Sequence, residues 1–319
     1  YFNGYYDAEH FCDRQKELEI LLCNMANGVN TTLIAQRRMG KTGLIQRLFD
    51  ELKHNGSDIQ PIYVDIMATR DVADFNKALA EAIVNAYPEE SPLGRRIWTF
   101  VKSLRPMMSF DQLTGDVQFQ LSYQMKEQKE STLIDLLKML ENHEKPILLA
   151  IDEFQQIREY PEQNLEAVLR THIQLLHNVT FIFCGSKKHM MIDIFSNPKK
   201  PFYQSTGFLA LSSIEKNCYA EFITRQFASN GRTIDSDAVD FILQWSRCHT
   251  YYTQRVCNQT FLASNHATMD VVNHCCDAIL LMQAPYFLQI RQLLTDSQWN
   301  YLIAVAKEEE LERPYTSSF

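Results

Sequence analysis

The chain has 319 residues, 45% hydrophobic and 22% charged, with a formal net charge of −8. That length and composition support folded cores and about two domains. The acidic balance excludes a generic polyanion binder, so any nucleic-acid surface must be local. No apolar run approaches the roughly 18 residues that cross a membrane, and no signal peptide is present, so a cytoplasmic location is expected. The chain opens on Tyr1 and not on Met, so its native N-terminus is expected upstream. The eight cysteines form no C-x-x-C pair and are expected as reduced core thiols. The alternative is a zinc site at His274, Cys275 and Cys276, but adjacent cysteines on a helix point in different directions.

Residues 1–12 are aromatic-rich and expected to be extended. Asp13 is the expected N-cap of a helix reaching about Asn27, with Leu18, Leu21, Leu22 and Met25 at helical spacing. Thr31–Ala35 is the first strand. A turn ending in Gly40-Lys41-Thr42 follows, then a helix from Lys41 to about His54. Pro61–Ile66 is a second strand, expected to be buried on both faces. A helix over about 71–87 comes next. Residues 88–106 hold Pro88, Pro92, Gly94 and Pro106 and are expected as a loop with a short helix. Residues 107–123 predict an inserted β-hairpin turning at Leu113-Thr114-Gly115-Asp116. A helix over 132–143 leads to the apolar strand I-L-L-A-I-D-E-F, 147–154. A helix over 161–177, a strand over 179–184 and a strand over 208–211 complete the α/β part. From Ser213 only helices are expected, near 213–229, 235–247, 249–265 and 268–284, with Asp235 and Thr250 as caps. A further helix of about twelve residues starts at Leu294-Thr295-Asp296. Ser317 would cap one more helix, so a truncated last domain is expected.

The turn after the first strand carries the chemistry. A triphosphate is bulky and charged, so backbone N–H groups must wrap it closely. Gly40 permits that approach, and the helix starting there points N–H groups at the phosphates. Ala35, Gln36, Arg37, Arg38, Met39, Gly40, Lys41, Thr42 and Gly43 are the candidate nucleotide-binding residues. Ala35 occupies the usual place of the first glycine. Lys41, expected on an exposed loop, would reach the phosphates; Thr42 would ligate Mg²⁺. An ordinary strand–turn–helix with basic residues is the alternative. Against it stand Asp152 and Glu153, delivered by a buried strand to the same ligand-facing sheet edge. Asp152 would hold Mg²⁺, and Glu153 would orient and deprotonate an attacking water. Ser186 ends the next strand and would sense the γ-phosphate or, alternatively, cap the following helix.

The stretches F-C-D-R-Q-K-E-L (11–18), L-I-A-Q-R-R-M-G-K-T-G-L-I (33–45), I-D-E-F-Q-Q-I (151–157), L-R-T-H-I-Q (169–174), F-I-F-C-G-S (181–186), P-F-Y-Q-S (201–205) and T-Y-Y-T-Q (250–254) run through nearly the whole chain. Together they resemble a family of P-loop ATPases common in archaea and some bacteria. That family lies near the signal-transduction (STAND-type) and origin-recognition ATPases of the AAA+ group, and often lacks the first glycine of the loop. The resemblance implies an α/β, ASCE-type P-loop NTPase fold: a parallel five-stranded sheet flanked by helices over 1–212. An all-helical lid domain over 213–284 and the start of a truncated winged-helix domain over 285–319 would follow. It implies ATP or ADP with Mg²⁺, Arg14 near the adenine and ribose, Ser186 as first sensor, and His249 as a lid contact to nucleotide. Relatives carry G-H-P at that last place; here it is Cys248-His249-Thr250.

Three functions compete. The first is a Mg-dependent ATP hydrolase. The second is a nucleotide switch or scaffold whose hydrolysis is slow or insignificant. The third is a DNA-associated ATPase whose winged helix is largely absent. Residues 295–319 carry five acidic side chains against two basic ones, which alone would repel DNA. No arginine lies between Ser186 and Thr224, the interval where ring ATPases place an arginine finger, and this favours the switch. Lys199 or Lys200 could substitute. A protein partner of unknown identity and self-association are also expected.

Overall fold

A computed structural model describes residues 9–87, 92–103, 107–110, 117–120 and 126–307. The chain divides into two compact units, Tyr1–Tyr219 with Cys248–Tyr251, and Ala220–Arg247 with Tyr252–Phe319.

The first unit opens with α1 (Gln15–Ala26), β1 (Thr31–Ile34) and α2 (Lys41–His54). Asp13 does not cap α1. Both Asp13 and Arg14 are left-handed, and Arg14 takes the N-cap position without a side-chain bond. Next come β2 (Gln60–Asp65), α3 (Val72–Ala86) and α4 (Pro92–Ser103). Asp71 caps α3 by accepting from the Asp74 amide at 2.9 Å. α4 is the short helix expected within 88–106, and Pro92 is its first residue, where a missing N–H costs nothing. β3 (Met107–Phe110) and β4 (Val117–Gln120) pair antiparallel, as a hairpin requires; the expected turn at 113–116 lies outside the described residues.

α5 (Lys126–Glu141) starts six residues earlier than expected at Thr132. β5 (Ile147–Asp152) is followed by a 3-10 turn, Phe154–Glu159, and α6 (Leu165–Ile173), which is shorter than the expected 161–177. β6 (Val179–Gly185), α7 (Lys188–Ser196) and β7 (Gly207–Ala210) complete this unit's main elements.

The sheet order is β2-β5-β6-β1-β7, and every neighbour pair is parallel. β2 is therefore an edge strand. Only Ile62 and Val64 of β2 are buried, not both faces as expected, because an edge strand lacks a second flank.

Alternation along the inner strands sorts the core into two layers. Ile147, Leu149 and Ile151 of β5 join Phe181 and Phe183 of β6 on the side of α3 and α5. Leu148, Ala150, Ile182 and Cys184 face the opposite layer, with Leu44, Ile45 and Leu48 of α2. β1 goes directly to the α2 layer while its successor β2 pairs at the far edge, so the loops after β1, β5 and β6 share one end of the sheet.

The aromatic centre of the first layer is Phe183, fully buried. Its ring centroid lies 4.6 Å from Phe154, 5.2 Å from Phe195 and 5.7 Å from Phe202. Phe202 belongs to the P-F-Y stretch, which is thereby pinned to the layer beneath the site.

The rest of the chain holds α8 (Lys216–Ser229), β8 (Thr233–Ile234), α9 (Ser236–Ser246), α10 (Thr250–Ala263), β9 (His266–Ala267), α11 (Met269–Leu293) and α12 (Asp296–Lys307). It is not purely helical: β8 and β9 pair in parallel. Ala238, Ile242, Val256, Val272, Cys276 and Ile279 form the core of the second unit. α11 runs on past Pro285 to Leu293, beyond the expected end at 284. Proline removes one amide donor, but the flanking Leu, Met, Gln and Arg residues are strong helix formers. Among the described residues no helix is long and apolar enough to cross a membrane.

Truncating Phe183 to alanine should remove the hub of the aromatic cluster. Phe183→Ala is expected to lower unfolding free energy by about 3–5 kcal/mol, read as a lower urea midpoint with an unchanged slope.

Candidate functional site

Thr31–Ile34 is buried throughout and flanked by strands on both sides. Its end is therefore rigid, and the following loop leaves from a fixed point. Ala35 is also buried, and its amide donates to the Gly185 carbonyl at 3.3 Å. Ala35 is not among the residues with positive φ, so this position does not demand glycine. Gln36, Arg37 and Arg38 are exposed. Arg38 turns left-handed at φ 64° and Gly40 at φ 92°. Nothing lies within 4 Å of where a Gly40 Cβ would stand, so glycine serves conformation there and not space. Gly40 caps α2 without a side-chain bond, leaving first-turn amides for an anionic partner. Gly43 lies on this turn, and a Cβ there would meet the Phe11 ring at 3.6 Å.

Lys41 is buried and not on an exposed loop as expected. Its Nζ sits 3.4 Å from Asp152 Oδ1 and 3.3 Å from Glu153 Oε1. Burial works against its charge, but the two carboxylates outweigh it and hold the ammonium pKa above its ordinary value. Asp152 ends β5. Its Oδ2 accepts from Thr42 Oγ1 at 3.0 Å and from the Tyr63 hydroxyl at 2.9 Å. Its Oδ1 accepts from the Glu153 amide at 2.9 Å.

Glu153 is itself left-handed, φ 55°, which swings its side chain back over the sheet end. It takes the N-cap position of the 3-10 turn without capping it. Its Oε2 accepts from Ser186 Oγ at 2.7 Å and from Gln155 Nε2. Burial pushes the Glu153 carboxyl up. The Ser186 hydroxyl, Lys41 and Gln155 reverse that and hold it below the usual glutamate value. Ser186 thus does not cap the helix; Lys187 precedes α7.

The third segment at the loop is Cys248–Tyr251, which belongs to the first unit. Thr250 Oγ1 donates to the Met39 carbonyl at 3.4 Å. Thr250 is the first residue of α10 and not its cap. The Arg38 guanidinium lies 4.3 Å from the Tyr251 ring centre. Burial pushes His249 to a lower pKa, against a hydrogen bond with the Arg37 backbone. Arg247 and Cys248 are both left-handed, a conformation that glycine adopts most readily.

Arg14 is buried beside the start of α1. Its guanidinium donates to the Ser212 carbonyl and to Glu17 Oε1, both at 2.7 Å, tying α1 to the chain after β7. Three residues beside the carboxylates escaped the sequence reading: Tyr63, Gln155 and Asp65. Asp65 ends β2 opposite Asp152, so the strand-end argument applied to β5 also points to it. Although its side chain is exposed, partial desolvation at the strand end raises its pKa, with Asp152 and Glu153 adding to the rise. Tyr63 and Gln155 left no signal in the sequence. Among the described residues no His, Cys, Asp and Glu cluster suits a metal on its own. Cys275 and Cys276 are buried free thiols, and His274 Nδ1 pairs with the Asp270 carbonyl.

A glycine-turned loop, a buried lysine, a threonine hydroxyl and paired carboxylates at the ends of a parallel sheet define a P-loop nucleotide-binding ATPase. The AAA domain family matches residues 27–190, more than half of the chain, and the chain belongs to that family. Similar solved structures include a Walker-type ATPase of Pyrococcus abyssi, 18% identical, with TM-score 0.62 over 91% of this chain and 79% of that one. The ORC1 protein of Aeropyrum pernix, solved in complex with DNA, is 14% identical, with TM-score 0.58 over 95% and 74%. The ORC2 protein of the same organism, solved in ADPNP–ADP complexes, is 14% identical, with TM-score 0.54 over 87% and 69%. At these identities the likeness shows the fold alone, that of an AAA-type P-loop ATPase. A comparison with curated proteins finds no match.

Gly185 backs this site. A Cβ there would fall within 2.5 Å of Met191 Cγ and Sδ, and on Gln155 Oε1. Gly185→Ala is expected to cost about 1–3 kcal/mol by overpacking, seen as a lower thermal midpoint. It should also displace Gln155 from Glu153.

Proposed function

We propose that the chain binds Mg-ATP at this site and works as a nucleotide-dependent switch of the STAND kind, reset by slow hydrolysis. The observation that carries the reading is the contact of Cys248–Tyr251 with the phosphate loop at Arg37, Arg38 and Met39. A loop that must wrap phosphates is also held by a segment continuous with the helical region, so occupancy of one bears on the other. His249 is the nucleotide contact within that segment.

The remaining roles follow from the donors present. Lys41 and the first-turn amides of α2 bind phosphate oxygens. Thr42 and Asp152 offer only oxygen donors, 3.0 Å apart, a set that fits a hard divalent cation such as Mg²⁺. When bound, Mg²⁺ neutralises phosphate charge. Glu153 orients the attacking water and accepts its proton, while Ser186 and Gln155 fix the carboxylate. The same donors weaken Glu153 as a base, since a carboxylate of depressed pKa takes a proton less readily. That supports slow turnover, as does the lack of arginine between 187 and 224. Of the two candidate substitutes, Lys200 lies 3.7 Å from Glu166, while Lys199 is exposed and is the better placed for a charge-neutralising role. Lysine lacks the planar fork of arginine.

A second reading is DNA association, as in the solved ORC1 complex, through a winged-helix domain beginning with α12. In either reading a second copy or an unidentified protein partner would supply the missing cation, in the cytoplasm.

Two measurements test the switch. Glu153→Gln should keep ATP affinity by calorimetry and lose phosphate release, because the amide cannot accept the proton; wild-type turnover in that variant removes Glu153 from the base role. In the wild type, protonation of Glu153 should limit turnover only below the ordinary glutamate value of 4.5, since its pKa is depressed. Second, the chain should turn over well below the roughly 1–100 s⁻¹ of kinases with all parts in place, and faster as protein concentration rises. Rapid, concentration-independent turnover by a dilute monomer would replace the switch with a self-sufficient ATPase.

A further inference from the structure

Asp152 is pinned at both oxygens. Oδ1 accepts from the Glu153 amide at 2.9 Å and faces Lys41 Nζ at 3.4 Å. Oδ2 accepts from Thr42 Oγ1 at 3.0 Å and from the Tyr63 hydroxyl at 2.9 Å. Three of these partners lie in the two nucleotide motifs. The fourth comes from β2, at the sheet edge, 89 residues away in sequence.

We propose that Tyr63 is a positioning residue: its phenol holds the Asp152 carboxylate in the orientation that meets the Thr42 hydroxyl, and so sets affinity for the divalent cation. This rests on the assignment of Thr42 and Asp152 as the Mg²⁺-holding pair. β2 runs parallel to β5, with Tyr63 opposite Ala150 and Asp65 opposite Asp152. Ile62 and Val64 face the core layer on the far side from α2. Tyr63, between them, packs against the α2 layer. Its ring therefore lies along the face from which Thr42 comes, and its hydroxyl reaches the end of β5. The carboxylate torsion of an aspartate is broad and two-fold, so the backbone of β5 alone does not fix it. Lys41 constrains it but also offsets its charge. A phenol donates a neutral hydrogen bond, which orients the carboxylate and leaves its negative charge for a cation. A tyrosine present only to fill space would serve as well if it lost its hydroxyl, and this separates the two roles.

The test uses the full chain and Tyr63→Phe, which keeps the ring and removes one oxygen. A fluorescent ADP analogue is titrated in EDTA and across a Mg²⁺ series. Affinity in EDTA should stay within about twofold, because the phosphate-binding groups are untouched. The Mg²⁺ concentration giving half of the Mg-dependent gain in affinity should rise about tenfold, the lower end for loss of an outer-shell partner. Tyr87→Phe, which removes a hydroxyl facing His143 in the same unit, should leave the Mg²⁺ series unchanged. Adding Tyr63→Phe to Asp152→Ala should produce no further shift, since the hydroxyl acts through that carboxylate. A Mg²⁺ midpoint within twofold of wild type in Tyr63→Phe overturns the inference, whether or not the thermal midpoint falls. A tenfold shift that persists in the Asp152→Ala background overturns it as well. If Asp152→Ala itself leaves the Mg²⁺ series unchanged, the metal assignment fails and not the Tyr63 step alone.

Discussion

The site depends on one electrostatic constraint: Lys41 is buried and must be neutralised. A lone ammonium in a protein interior is costly, and removing one member of a buried ion pair typically costs 3–5 kcal/mol. Asp152 and Glu153 supply the opposing charge at 3.4 and 3.3 Å. They can do so only if the end of β5 stands beside the start of α2. The order β5-β6-β1 meets that condition with one strand between them. Because the cluster carries two carboxylates against one cation, it keeps a net negative charge, which suits an additional divalent ion.

The layers beneath give that cluster a fixed base. The residues of β5 and β6 alternate between two hydrophobic layers, one with α2 and one with the phenylalanine group. Phe154 directly follows Glu153 and is fully buried against Phe183. The turn that presents the carboxylate is therefore anchored one residue later. Arg158 extends the anchorage by pairing with Asp193 of α7 and, at 3.8 Å, with Glu166 of α6. Shifts of the P-F-Y stretch, which packs on the same rings through Phe202, would be felt at Glu153.

Part of the chain's backbone strain sits at the site and where the loop meets Cys248–Tyr251. Arg38, Glu153, Arg247 and Cys248 all adopt the left-handed region without being glycine, at roughly 1–2 kcal/mol each. Such strain persists only where surrounding contacts over-determine it. Around Arg38 and Cys248 those contacts are the Tyr251 ring and the Thr250–Met39 hydrogen bond.

The sequence alone determined the parts that depend on local pattern. The apolar run ending in Asp152-Glu153 could only be a buried strand ending in charge, and Gly40-Lys41-Thr42 could only open a helix. Parallel order and the site's place at the strand ends followed from those two. Local pattern left the bounds of the short helix within 88–106 open, where α4 runs from Pro92 to Ser103, and it misled at β2, whose apolar residues do not reveal an edge position. The burial of Lys41, the hold of Ser186 on Glu153 and the part played by Tyr63 were decided only by the tertiary structure. Each depends on side chains brought together from strands and helices 33 to 112 residues apart. Contacts across such distances follow from sheet order and register, and no spacing along the chain encodes them.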